Sequence, residues 1–187
     1  MSQENIGGWV LIPRTRTESS ELIMNRLIEI FRPQCAKIDQ TATSAWTLYL
    51  YSGLNLFVMT RQSDFKAPHR AITFRFWRDE FMRLTKQAGW ADFRKIWFEV
   101  CRALQVEYGY IALWDYEAQE SFLSKEIESA LYYGDAMALI NNTFALVYLD
   151  VNWSRDLRPR PSLDKDRKWF EFDDGAAGIS LITDEQT

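Results

Sequence analysis

Five carboxylates crowd one short stretch of the chain: Asp115, Glu117, Glu120, Glu126 and Glu128. Two such groups converging in a cleft are what a glycosidase or a metal-dependent nuclease needs, one giving or taking a proton and the other acting as nucleophile or ligand. Acids also gather at helix N-termini, where unpaired backbone N–H groups and the helix dipole favour negative charge. This stretch surrounds the start of a helix expected from Gln119, so a solvated helix start accounts for it without any chemistry. The second acidic group, Glu171, Asp173 and Asp174, runs into Gly175, and Asp-Gly is ordinary turn chemistry.

The other reactive side chains are few. His69 is the only histidine, which excludes any metal site that needs two imidazoles. With only Cys35 and Cys101 besides, the usual zinc sets are also excluded unless carboxylates supply nearly every ligand. His69 follows Pro68 in a polar stretch, the setting of a solvated loop residue. Cys101 lies on an apolar helical stripe, where a thiol is inert, and two isolated cysteines read as buried thiols in a reducing compartment. No GxSxG elbow, GxGxxG turn or GxxxxGKS loop occurs, and Gly7-Gly8 precedes a strand instead of linking a strand to a helix. The reading is therefore a protein that is not an enzyme, with no catalytic residue, no metal ligand and no cofactor.

Composition bounds the partner. The chain has 187 residues, 47% hydrophobic and 26% charged, with eight tryptophans and a net charge of -4. That composition folds, and the length suits one domain spanning 1–187. Lys and Arg are scattered with no long basic run, so the counterion release that drives nucleic-acid binding has no footprint here. Mild acidity suits a neutral or basic partner. No window approaches the ~20 apolar residues that span a bilayer, and Met1–Gly8 lacks the basic and apolar regions of a signal peptide. No membrane association and a cytoplasmic location are expected.

The elements that position these residues follow from periodicity. Trp9–Ile12 is a short apolar strand. Ser19-Ser20-Glu21 starts a helix whose Ile23, Leu27, Ile30 and Phe31 recur at helical spacing until Pro33. From Trp46 to Arg61 the period becomes two, broken at Ser52-Gly53, which is a β-hairpin. Ile72, Phe74 and Phe76 form the next strand and complete a meander. Asp79–Gln87 fits no single period. Trp90–Gln105 is a helix carrying Phe93, Ile96, Trp97, Val100, Cys101 and Leu104 on one stripe. Tyr108–Trp114 is a strand, Gln119–Leu131 a helix presenting Phe122, Ile127 and Leu131, and Phe144–Val151 a strand. Arg155–Arg167, with Pro159 and Pro161, is a loop, and Trp169–Phe172 with Ile179–Ile182 forms a terminal strand pair. The sum is an α+β fold, a mainly antiparallel sheet of about six to eight strands packed with three helices.

Two stretches carry a family resemblance. A helix ends at Leu104 and Tyr108-Gly109-Tyr110-Ile111 opens a strand. Downstream a helix runs into Tyr132-Tyr133-Gly134, followed by the strand Phe144–Leu149 and a close on Gly175, Gly178 and Ile179-Ser180-Leu181. Over roughly the C-terminal half this resembles the cytoplasmic immunity proteins of bacterial polymorphic, contact-dependent and type VI secretion toxin systems. The resemblance implies a small protein that docks on a cognate toxin, occludes its active site and performs no catalysis.

Two alternatives stand beside it: a carboxylate-dependent enzyme of unfamiliar type built on the acidic stretch, and a phage or defence-system protein that binds a host protein. For a binding role the expected contact surface is the strand-to-helix junction at Trp114, Asp115, Tyr116, Glu117 and Glu120, where exposure combines with rigid support. Tyr49, Tyr51, Trp77 and Trp90 are further candidate aromatic anchors.

Overall fold

The computed structural model describes residues 5–13, 17–62, 69–87, 89–112, 125–140 and 144–182. Among them run nine strands and five helices: β1 (Asn5–Pro13), α1 (Ser20–Phe31), β2 (Cys35–Ala42), β3 (Ala45–Leu50), β4 (Asn55–Gln62), β5 (His69–Trp77), α2 (Arg78–Leu84), α3 (Gly89–Ala103), β6 (Tyr108–Ala112), α4 (Lys125–Tyr133), β7 (Phe144–Leu149), α5 (Val151–Asp156), β8 (Arg167–Glu171) and β9 (Ala177–Leu181). One sheet holds all nine strands in the order β2-β3-β4-β5-β1-β6-β7-β9-β8, and every neighbouring pair is antiparallel.

The α+β class and the antiparallel sheet agree with the sequence, while the counts exceed the expected six to eight strands and three helices. The extra strand is β2, a sheet edge whose side chains are mostly exposed and whose register slips twice against β3. An edge strand buries too little on either face to write an alternating apolar pattern. The extra helices are short. In α2 only Phe81 and Leu84 are buried, too few positions to set a period. Helix α5 occupies residues expected to end a strand and open a loop: Asp150 closes β7 and accepts 3.0 Å hydrogen bonds at Oδ1 from the N–H groups of Asn152 and Trp153, capping the new helix. His69, expected in a loop, is the first residue of β5.

β1 runs down the middle of the sheet between β5 and β6, which explains its dense apolar run. Its Ile6, Val10 and Ile12 join the core beneath α1, α2 and α3. Leu11 joins a second core on the opposite face, with Ile127 and Ala130 of α4 and Leu157 beyond α5. The period-two alternation of β5 and β6 therefore serves two cores at once. The expected N-cap is present, with Ser19 Oγ accepting from Leu22 N–H at 3.2 Å, and Pro33 falls in the 3₁₀ turn Arg32–Gln34 that ends α1.

Helix α3 buries Phe93, Trp97, Val100 and Cys101 as its stripe requires, together with Trp90 and Phe98. Trp90 and Phe93 meet Phe81 of α2 edge to face at 5.7 and 6.4 Å, which seats the two helices together. Phe98 packs on Phe170 and Phe172 at 5.8 and 5.4 Å. Arg102 adds an ion pair to Asp174 at 3.0 Å, so α3 is tied to the expected β8–β9 pair. Both cysteines are free and buried.

Candidate functional site

The junction residues Trp114, Asp115, Tyr116, Glu117 and Glu120 lie outside the described residues, between Ala112 at the end of β6 and Lys125 at the start of α4. The other candidate anchors separate into two kinds. Trp90 is a core residue, fully buried, with its Nε1–H donated to the Leu181 carbonyl at 3.0 Å. Tyr51 and Trp77 are exposed, and Tyr49 is half-buried beneath the ammonium of Lys37 at 5.3 Å.

A surface that the periodicity did not flag lies at the far end of α4. Ile127 and Ala130 face the second core, and one turn on, the helix stops. Gly134 adopts a left-handed conformation, φ +74, and Asp135 N–H returns to the Ala130 carbonyl at 2.9 Å. A glycine in that conformation followed by a bond back to the last turn is the usual glycine-terminated helix end. Tyr132 and Tyr133 project from this last turn with 79% and 77% of their surface in water. Their rings meet edge to face at 4.9 Å. Met137, 56% exposed, follows in the next turn.

The support beneath them is rigid. Asp135 Oδ1 accepts from Ala138 N–H at 3.1 Å and caps the 3₁₀ turn Ala138–Ile140. The buried hydroxyl of Tyr108 donates to the Leu139 carbonyl at 2.8 Å, pinning that turn to the middle of the sheet. Tyr108 thus ties β6 to a turn 31 residues further along the chain.

Between this turn and the end of α5 opens a cavity of about 310 Å³, lined by Gly134, Asp135, Ala136, Met137, Asp156, Leu157, Arg158, Pro159 and Pro161. Its second wall is held by Arg160, whose guanidinium donates to the Ser154 carbonyl at 2.6 Å, to Ser154 Oγ at 2.8 Å and to Glu171 Oε1 at 2.9 Å. The same group covers the Trp169 ring at 4.6 Å. Arg158 donates to the other oxygen of Glu171 at 2.9 Å. Between the two cations, with the Arg160 hydrogen bond the larger influence, Glu171 is held below the usual carboxylate range.

Among the described residues the lining offers two carboxylates, the Arg158 guanidinium and apolar walls. Among the described residues no group of three His, Cys, Asp or Glu side chains is arranged to hold a metal ion, and no helix is long and apolar enough to cross a membrane. The tyrosine pair stood in the sequence as a family signature rather than as a surface. The signal that exposes it is local: both residues fall off the Ile127–Ala130 stripe and immediately precede a helix-ending glycine. No family model, curated protein or solved structure matches the chain.

Proposed function

We propose that the chain is a non-catalytic binding protein that docks on another protein and blocks it, as an immunity protein does its cognate toxin. The observation that carries this reading is the Tyr132–Tyr133 pair with Met137, three large side chains left in water where α4 ends at Gly134 and the next turn is hydrogen-bonded to Tyr108 of the sheet. Rigid, exposed tyrosines bring large contact area at small entropic cost, and residues of this kind dominate protein interfaces. The Tyr132-Tyr133-Gly134 run that carries the family resemblance is the same surface. The junction residues Trp114, Asp115, Tyr116, Glu117 and Glu120 remain part of the proposed contact.

The test is protection. Immunity genes neighbour their toxin genes, so the product of the neighbouring gene is expressed with the wild-type chain or with the double substitution Tyr132→Ser and Tyr133→Ser. Wild type restores growth, and the double variant, folded by circular dichroism, binds the purified neighbour at least about tenfold more weakly, the scale of an interface hot spot. Unchanged affinity and protection would overturn the reading.

A further inference from the structure

We infer that the cavity beside Met137 receives a cationic side chain, an arginine or a lysine, from the partner protein. The inference rests on the protein-docking reading and gives the partner's contact its chemistry.

The cavity's shape and charge point the same way. Ala136, Met137, Leu157, Pro159 and Pro161 supply apolar walls, and the stem of a long basic side chain buries well along such surface while its head stays polar. Asp135 and Asp156 supply two exposed carboxylates, and among the described residues neither takes part in an ion pair. Asp135 commits one oxygen to the Ala138 N–H group and keeps the other. Arg158 of the lining is already engaged by Glu171, which is shared with Arg160, so the aspartates are the lining groups left to give an incoming cation charge-assisted hydrogen bonds.

Tyr132 and Tyr133 immediately precede the lining Gly134 and present two mutually perpendicular rings to solvent, and an exposed aromatic face attracts a cation. An acidic guest meets two carboxylates, and an apolar guest desolvates them without a partner. The chain's net charge of -4 adds a long-range bias of the same sign.

The experiment uses the full chain with labelled methionine methyls and backbone amides, titrated with the N-acetyl, N-methylamide derivatives of arginine, lysine, glutamate and leucine. The arginine and lysine derivatives should shift the Met137 methyl and the Gly134 and Asp135 amides saturably, and the glutamate and leucine derivatives should bind at least about tenfold more weakly. Asp156→Asn and Asp135→Asn, the latter keeping an oxygen for the cap, should each weaken the arginine derivative several-fold while the remaining amide fingerprint stays in place. Equal or tighter binding of the glutamate or leucine derivative overturns the inference, as does an arginine response indifferent to both substitutions or no response at all. The two readings fail separately. Loss of protection in the tyrosine variant with no arginine response keeps the docking function and removes the cation. A selective arginine response with full protection in that variant keeps the cavity's chemistry and removes the docking function.

Discussion

The Phe98 ring on α3 lies so close over Gly178 of β9 that a β-carbon at 178 would stand 2.5 Å from its Cζ and 2.7 Å from its Cε1. The hairpin β8–β9 can hold α3 at this distance only because residue 178 has no side chain. Gly178→Ala should therefore cost about 1–3 kcal/mol, the range for overpacking a filled core. Trimming the ring by Phe98→Leu in the same chain should recover part of that loss. Urea midpoints of wild type, Gly178→Ala, Phe98→Leu and the double variant decide it, and an unchanged midpoint for Gly178→Ala would mean that α3 is not seated on the hairpin.

Trp97 sits in the centre of the α3 stripe with no exposed surface, against the bare face of Gly109. Trp97→Ala is expected to cost about 3–5 kcal/mol through lost contact and cavity. Its Nε1–H has no hydrogen-bond partner among the described residues. Trp97→Phe removes that unsatisfied donor, a gain of about 1–3 kcal/mol that offsets much of the lost volume. The phenylalanine variant should thus lose less than about half of what the alanine variant loses in chemical denaturation.

Burial pushes the Cys35 thiol from 9.0 up to about 11, against the smaller opposing pull of Arg32, and burial likewise raises the fully enclosed Cys101 thiol. In the folded state both thiols stay protonated where the unfolded chain has begun to ionise. The folded state then binds more protons, and stability falls as pH rises from about 9 toward 11. Thermal midpoints of the wild type should drop over that window more steeply than those of Cys35→Ala. At pH 8 both thiols should resist a disulfide reagent until the protein is denatured.

Glu171 behaves oppositely. Its carboxyl is lowered by the Arg160 hydrogen bond first and by the charges of both arginines after that. The contribution is present above the ordinary value of 4.5 and is lost as pH falls through the lower folded value. Wild type should exceed Glu171→Gln in thermal midpoint at pH 6. The two should converge at about pH 3, and because the group is exposed the gap at pH 6 should shrink in high salt.

Charge reversal at the junction tests the other part of the proposed contact. Glu117→Lys with Glu120→Lys is expected to leave stability within about 0.5 kcal/mol of wild type and to slow association with the proposed partner at low salt. Stopped-flow rates at two ionic strengths measure it, and an unchanged low-salt rate would place the contact elsewhere.

Periodicity in the sequence is enough to find the helices α1 and α3 and the meander β3–β4–β5, because their buried faces write a period into the apolar residues, and the terminal hairpin is legible from two short apolar runs around Asp174-Gly175. Helix α3 is legible down to Trp97 and Cys101 for that reason. Strand β2 and helices α2 and α5 are not legible. The edge strand β2 and the short helix α5 bury one side chain apiece and α2 buries two, fewer than a period needs. Where strand β1 goes is also unwritten locally: its apolar run reads as a strand, but insertion between β5 and β6 is chosen by partners sixty to a hundred residues away.

The candidate site shows the same division. Residue types alone establish that the chain lacks the histidines, cysteines and glycine-rich loops of the common chemistries, since chemistry depends on which groups exist. A binding surface depends on which groups are left over once the core is filled, and that is decided only by the tertiary structure. Trp90 and Tyr133 are both large aromatics on helices. The fold buries the first between α2 and α3 and leaves the second in water, because Tyr133 falls off the Ile127–Ala130 stripe that faces the second core. The cavity is tertiary in the same sense: Asp135 and Asp156 come together only because Tyr108 pins one wall to the sheet and Arg160 pins the other.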